Sequence, residues 1–359
     1  MKTPPRKPIR VLIVEDSPTA LRLLQAIIAA DPRLDVAGAA SSGEAALAML
    51  DNVRPDVITM DIKLPGIDGL ETTKRIMKRR PTPIIVVAAV ASEAQARISM
   101  SALKAGALAI IEKPRGVASA DFDEIALRLR RQITLMSDVK LVRQRRAAAP
   151  VSRPPGRPLA APFSGCSAIK AVGIAASTGG PNAILEILRG IARDFPAPIL
   201  VVQHITPSFV ESFAGWLGAA APAPVEIATH GAIPRPGRVY IAPGDGVLEY
   251  GGARLTVLQG EAAAAKGAPA NALFRSLARN AGADCIAVLL TGMGDDGAQG
   301  MRAAFDAGAH TIAEDEATAV VYGMPAAAVA CGAAREQLPL PQIAPRLNQI
   351  AAGRARVAS

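Results

Sequence analysis

The sequence predicts an α/β protein made of two doubly wound parallel sheets joined by a basic linker. Three observations predict it. Short apolar runs alternate with segments of helical periodicity from Ile9 to Met136. The alternation stops in "KLVRQRRAAAPVSRPPGRPLAAPFSG", Lys140 to Gly165. It resumes from Ala168. Repeated βα units of this kind imply parallel strands covered by helices on both faces.

In the first half the apolar runs place strands at Ile9–Val14, Val36–Ala40, Val57–Met60, Ile84–Ala88 and Ala107–Ile111. Pro18–Ala30 and Gly43–Leu50 are amphipathic and read as helices between them. Phe122, Ile125, Ala126, Leu129, Ile133 and Met136 then fall on one face of a further helix. Proline, alanine and arginine without periodicity make the next stretch a solvated linker, whose charge reads as solubility rather than as a binding site. Beyond it, strands are expected at Ala168–Ala175, Pro198–Gln203, Val239–Ala242, Cys285–Leu290 and Thr311–Ala313. Helices are expected at Pro181–Ile191, Ala270–Asn280 and Ala298–Ala307. The expected division is a domain over 1–138, a linker over 139–166 and a second domain over 167–355.

Composition narrows the function. With 359 residues, half of them apolar and 20% charged, the chain can bury two cores. Aromatics, at 3%, are too few for a surface built on base stacking. The linker holds Lys140 and five arginines with no carboxylate, so most of the net charge of +9 sits there, and no DNA partner is expected. Cys166, Cys285 and Cys331 fit no metal or redox spacing, which suits a reducing cytosol. The apolar run "VLIV" is cut short by Glu15 and Asp16, and no membrane insertion is expected. The expected location is cytoplasmic.

In a parallel sheet, ligands collect beyond the carboxyl ends of the strands. Glu15 and Asp16 follow the first strand in "VLIVEDSP", and Asp61 follows the third in "DVITMDIKLPGIDG". Three carboxylates gathered at one edge repel unless a cation sits among them, and hard oxygen donors suit Mg²⁺. Lys113, in "EKP" after the fifth strand, adds a positive charge there. A carboxylate beside a metal and a lysine is placed to attack a phosphoryl group. On these residues, the segment from 9 to about 125 resembles a response-regulator receiver domain. The resemblance implies a flavodoxin-like sheet, Asp61 as phospho-acceptor, and Glu15, Asp16 and Asp61 as Mg²⁺ ligands. It also implies Lys113 as the phosphoryl-contacting switch lysine and a cis peptide before Pro114. Receivers usually carry Ser or Thr at the end of the fourth strand, where "PIIVVAAVAS" has Ala88. Ala88 offers no hydroxyl, so the expectation is phosphorylation coupled less tightly to output.

The second half poses its own question in "GIAASTGGP", Gly173 to Pro181. Ser-Thr-Gly-Gly suits an ordinary strand-to-helix turn, or it holds Ser177 out as a nucleophile. The spacing and lysine of a phosphate-cradling loop are missing. Of the three histidines, His204 ends the next strand in "PILVVQH" and lies along the edge of Ser177. His230 sits in a loop-like segment, and His310 begins a strand at the opposite end. "LLTGMGDDG" offers Asp295 or Asp296 to orient an imidazole, and its glycines leave backbone N–H groups for an oxyanion.

"GIAASTGGP", "QH", "VYIAPGD", "LLTGMGDDG" and "AEDEATAVVYGMP", in this order, resemble the chemotaxis protein-glutamate methylesterases of the CheB family. The resemblance implies a doubly wound catalytic domain with Ser177 as nucleophile, His204 as base and Asp296, which precedes the glycine, as orienting acid. Thr178 matches an active-site threonine, and Met293 the oxyanion-side backbone. The implied substrate is a glutamyl methyl ester on methyl-accepting chemoreceptors, with receptor glutamines as a second substrate of the same acyl chemistry. The implied phosphodonor is a chemotaxis-type histidine kinase, and the esterase reaction itself needs no cofactor. Two stretches depart from the family: Pro269 and Asn271 stand where relatives often have Ser and Asp, and Gly246–Val247 where they usually have a basic residue and histidine. Both lie outside the expected triad and read as bearing on substrate contacts. A signalling adaptor without turnover is disfavoured by the intact Ser177, His204 and Asp296, and a DNA-binding regulator by the lack of a recognition helix.

Overall fold

The computed structural model describes residues 7–89, 93–114, 116–119, 122–137, 139, 168–244 and 246–358. The chain divides into two compact units, Met1–Val151 and Ser152–Ser359. The linker stretch from Lys140 to Gly165, and Cys166, lie outside the described residues. Among the described residues, no helix is long and apolar enough to cross a membrane.

The N-terminal unit runs β1 (Ile9–Val14), α1 (Pro18–Ala29), β2 (Leu34–Ala40), α2 (Gly43–Val53), β3 (Val57–Met60), α3 (Gly69–Arg79), β4 (Ile84–Ala88), α4 (Glu93–Lys104), β5 (Ala109–Glu112) and α5 (Phe122–Met136). Its five strands lie in the order β2-β1-β3-β4-β5, all parallel. β3 and β4 are buried along their whole length, as strands covered on both faces must be. Ser17, Ser42 and Asp68 each accept a backbone N–H at the start of the following helix, so side-chain caps fix where α1, α2 and α3 begin. The order reverses between β1 and β3, and a crevice opens at the carboxyl ends of those strands.

The C-terminal unit begins with β6 (Ala171–Ala176), α6 (Gly180–Gly190), β7 (Ile199–Gln203), α7 (Val210–Gly218), β8 (Val225–Ile227) and β9 (Val239–Ile241). A hairpin, β10 (Val247–Tyr250) and β11 (Leu255–Leu258), leads to α8 (Gly260–Lys266) and α9 (Pro269–Ala281). Then follow β12 (Cys285–Leu289), α10 (Ala298–Asp306), β13 (His310–Glu314), α11 (Met324–Ala330), β14 (Glu336–Leu338) and α12 (Leu340–Ala358). Seven parallel strands order as β14-β13-β12-β6-β7-β9-β8. The chain leaves central β6 in one direction and later returns on its other side through β12. That reversal puts the switch point of this sheet between β6 and β12. Leu273, Phe274 and Leu277 of α9 pack with Ala287 and Leu289 of β12 in the core, which fixes the start of α9 near the end of β12.

Candidate active site

Ser177 is the first residue past β6 and is half-buried. Its carbonyl accepts Gly180 N at 2.9 Å, so the nucleophile candidate and the strand-to-helix turn are the same structure. Gly179 adopts φ +80°, and a Cβ there would come within 2.7 Å of Val320 Cβ; only glycine fits the turn. Gln203 Nε2 donates both to Ser177 O at 2.8 Å and to His204 O at 3.1 Å. The backbone N–H of His204 meets Ala176 O at 2.9 Å, one step beyond the β6–β7 ladder. Serine and histidine thus leave neighbouring strands at the same rim. Among the described residues no hydrogen bond joins the Ser177 hydroxyl to the imidazole, a contact that commonly tightens only when substrate binds.

The imidazole is fixed from its other side. His204 Nε2 lies 2.8 Å from Asp296 Oδ2. Asp296 also accepts Ala270 N on Oδ2 at 3.0 Å and Asn271 N on Oδ1 at 2.9 Å. Those amides open the first turn of α9, where free N–H groups and the helix dipole favour a carboxylate. Burial pushes the Asp296 carboxyl up, but the hydrogen bond and charge of His204 with the two amides outweigh it and hold the group below its ordinary range. Asp295, by contrast, is exposed, and its carbonyl accepts Ala298 N.

The loop after β12 is drawn tightly against Ser177. Thr291 O accepts Ser177 N at 3.0 Å, and Thr291 Oγ1 donates to the carbonyl of buried Thr178 at 2.9 Å. Gly292 packs so closely that a Cβ there would stand 2.7 Å from Ser177 Cβ. Its N–H is given to Val321 O at 3.0 Å. Half-buried Met293 follows.

The departures noted in the sequence also have roles in the packing of the site. Pro269 is at the start of α9, where its fixed φ suits the first turn. Asn271 gives its amide to Asp296 and accepts Gly300 N on its side chain, bracing α9 against α10. Val247 is buried with Ala263 and Ala272 under the hairpin. Asn271 and Val247 thus support Asp296 and the local core. His310, at the far end of β13, pairs with Glu336, and His230 holds the Val257 backbone.

At the switch point of the N-terminal sheet, oxygens of Glu15, Asp16 and Asp61 lie within 4.8 Å of one another. Lys113 Nζ reaches Asp61 Oδ2 at 2.6 Å and Glu15 Oε2 at 2.7 Å. Asp61 Oδ1 accepts Lys63 N at 3.2 Å. Burial pulls the Lys113 ammonium down, but hydrogen bonds and charges from Asp61 and Glu15 hold it above its ordinary value. Burial pushes Glu15 up, and Lys113 offsets only part of this. An all-oxygen donor set with exposed Asp16 at its mouth fits a hard divalent cation that keeps water ligands. Ala88 closes β4, buried, with its carbonyl on Lys113 N at 2.9 Å. The peptide before Pro114 is trans, against the cis bond the resemblance implies.

Sequence reasoning missed Gln203, Gly292 and the amides of Ala270 and Asn271. Gln203 and Gly292 lie inside short motifs that carried a signal, whereas the amides carry none in a side-chain pattern.

The family described as CheB methylesterase matches residues 172–347, and the response regulator receiver domain matches residues 11–120. A protein-glutamate methylesterase/protein-glutamine glutaminase of Paramagnetospirillum magneticum is 47% identical over 97% of this chain and 99% of its own length. One of Myxococcus xanthus is 44% identical over 95% of this chain and 96% of its own. The crystal structure of the Thermotoga maritima CheB methylesterase catalytic domain is 37% identical, with a TM-score of 0.47, over 50% of this chain and 98% of that one.

Proposed function

Because the chain belongs to the CheB methylesterase family and carries a receiver domain, we propose that it is a phosphorylation-regulated serine esterase of glutamyl methyl esters on chemoreceptors. The observation that carries the site assignment is the His204–Asp296 pair at the rim where β6 delivers Ser177.

In this reading Asp296 occupies Nε2, so His204 Nδ1 is the nitrogen left to take the serine proton. Ser177 Oγ adds to the ester carbonyl as its proton passes to Nδ1. The Asp296 carboxylate stabilises the imidazolium and holds its ring. Thr291 N–H and Gly292 N–H are already given to Glu314 and Val321, and the Met293 amide, which the resemblance puts on the oxyanion side, would face the developing oxyanion. Buried Thr178 supports that loop through its carbonyl. Collapse returns the proton to the departing methoxide, which leaves as methanol. Water, deprotonated by His204, then attacks the acyl-serine and frees the glutamate and Ser177. A receptor glutamine would follow the same path with ammonia as the leaving group.

The receiver, assigned to 1–138, would regulate this domain, assigned to 167–355, across the linker at 139–166. Asp61 is the phospho-acceptor, with a chemotaxis-type histidine kinase as donor. Glu15, Asp16 and Asp61 would hold Mg²⁺, which when bound neutralises charge on the phosphoryl oxygens. Lys113 supplies a second positive charge from the protein itself. Methanol release from methylated receptor, with and without a phosphodonor, tests the reading. Ser177→Ala is expected to abolish release, and Asp61→Asn to keep basal turnover while losing stimulation. Wild-type rates from Ser177→Ala would overturn the nucleophile.

A further inference from the structure

Glu314 ends β13 as a fully buried carboxylic acid that the esterase steps above do not use. Its Oε2 accepts Thr291 N at 2.8 Å, and its Oε1 accepts Thr318 Oγ1 at 3.1 Å. Thr291 then links three segments: its carbonyl holds Ser177 N, its hydroxyl donates to Thr178 O, and that hydroxyl accepts Val321 N at 2.9 Å. The loop gripped in this way carries Met293 and Asp296 two and five residues on.

We propose that Glu314 is a positioning residue for the esterase site, whose carboxyl clamps the Thr291 amide and so sets the loop that bears the oxyanion donor and the orienting acid. This rests on the esterase reading above. The surroundings make the clamp responsive to pH. Burial pushes Glu314 up to about 7; Thr291 and Thr318 oppose the shift, while the charges of Glu186 on α6 and of neighbouring Asp315 add to it. Thr318 Oγ1 accepts Leu340 N at 3.0 Å, so its single proton can turn to Glu314 Oε1 or, at 3.4 Å, to Asp315 O. A protonated Oε1 would donate to Thr318 instead, and both states are hydrogen-bonded. The ionised state grips the Thr291 amide harder, because a bond to a charged acceptor is stronger.

The test is the ratio of basal methanol release, full-length wild type over Glu314→Gln, across pH. Any pH dependence that the two proteins share cancels in the ratio. The ratio is expected to be about 1 near pH 5.5 and about 5 near pH 8.5, the gain of a charged over a neutral acceptor. Thr318→Val removes one stabilising partner of the carboxylate and is expected to move the wild-type inflection to higher pH; it decides the matter if Glu314→Gln does not fold. A ratio flat with pH, or an inflection unmoved in Thr318→Val, would overturn the proposal. Failure of the esterase reading looks different: Ser177→Ala would still release methanol.

Discussion

Asp296 Oδ2 lies 2.8 Å from His204 Nε2 and so fixes that side of the imidazole ring. In the proposed mechanism the carboxylate therefore selects Nδ1 as the ring nitrogen that acts as base. In Asp296→Asn the side chain can no longer accept from Ala270 N, Asn271 N and the ring together, because one of its atoms has become a donor. Methanol release is expected to fall on the order of 10³–10⁴-fold through the wrong tautomer. A drop of less than tenfold would show that Asp296 does not orient the ring.

Gly292→Ala tests the closeness of the loops that carry Ser177 and Gly292. The added methyl would collide with the buried Met324 Sδ and lie 2.7 Å from Ser177 Cβ, which is fixed by its backbone. Displacing the nucleophile by a fraction of an ångström is expected to lower kcat by on the order of 10²-fold, with stability down by about 1–3 kcal/mol. Unchanged kinetics would mean that the serine does not act from this position.

How much of this was legible in the sequence follows from where each contribution resides. Ser177, His204 and the acidic cluster were readable because a βα pattern places strand ends at one rim, and side-chain type does the rest. Asp295 and Asp296 were not separable by pattern, since adjacent residues share the strand end; what divides them is the start of α9, more than twenty residues earlier. Gln203, Gly292 and Glu314 lie inside motifs that stand out in the sequence, but the contacts each makes to segments distant along the chain are not visible in a side-chain pattern. The short strands β8 and β14 escaped because three residues give too little periodicity, and α12 because Pro345 interrupts its helical pattern.

Ala88→Thr tests the receiver's output. Ala88 is buried at the end of β4, beside Lys113, and offers no hydroxyl to a phosphorylated Asp61. A hydroxyl there gains one bond to a charged group only in the phosphorylated state, which is expected to raise phosphodonor stimulation about fivefold. Measured on methanol release, equal stimulation of wild type and variant would sink the idea.

Acid stability of the C-terminal unit should turn on Glu336, which Arg346 and His310 grip from either side. Arg346 Nε meets both carboxylate oxygens, at 3.0 and 2.9 Å, and His310 Nε2 lies 3.0 Å from Oε1. Burial pushes this carboxyl up, but its two partners prevail and bring it down to about 2. A group with a depressed folded-state pKa contributes stability that is complete above its unfolded value, near 4.5, and that disappears as pH falls through about 2. Glu336→Gln is therefore expected to cost about 2 kcal/mol at neutral pH, a Tm lower by about 4–8 °C. The difference from wild type should shrink steadily as pH falls from about 4.5 through about 2, below which both chains carry a neutral side chain at 336. Thermal unfolding of the two proteins across that range checks it. A Tm gap that stays constant would mean that Glu336 acts through packing and not through its charge.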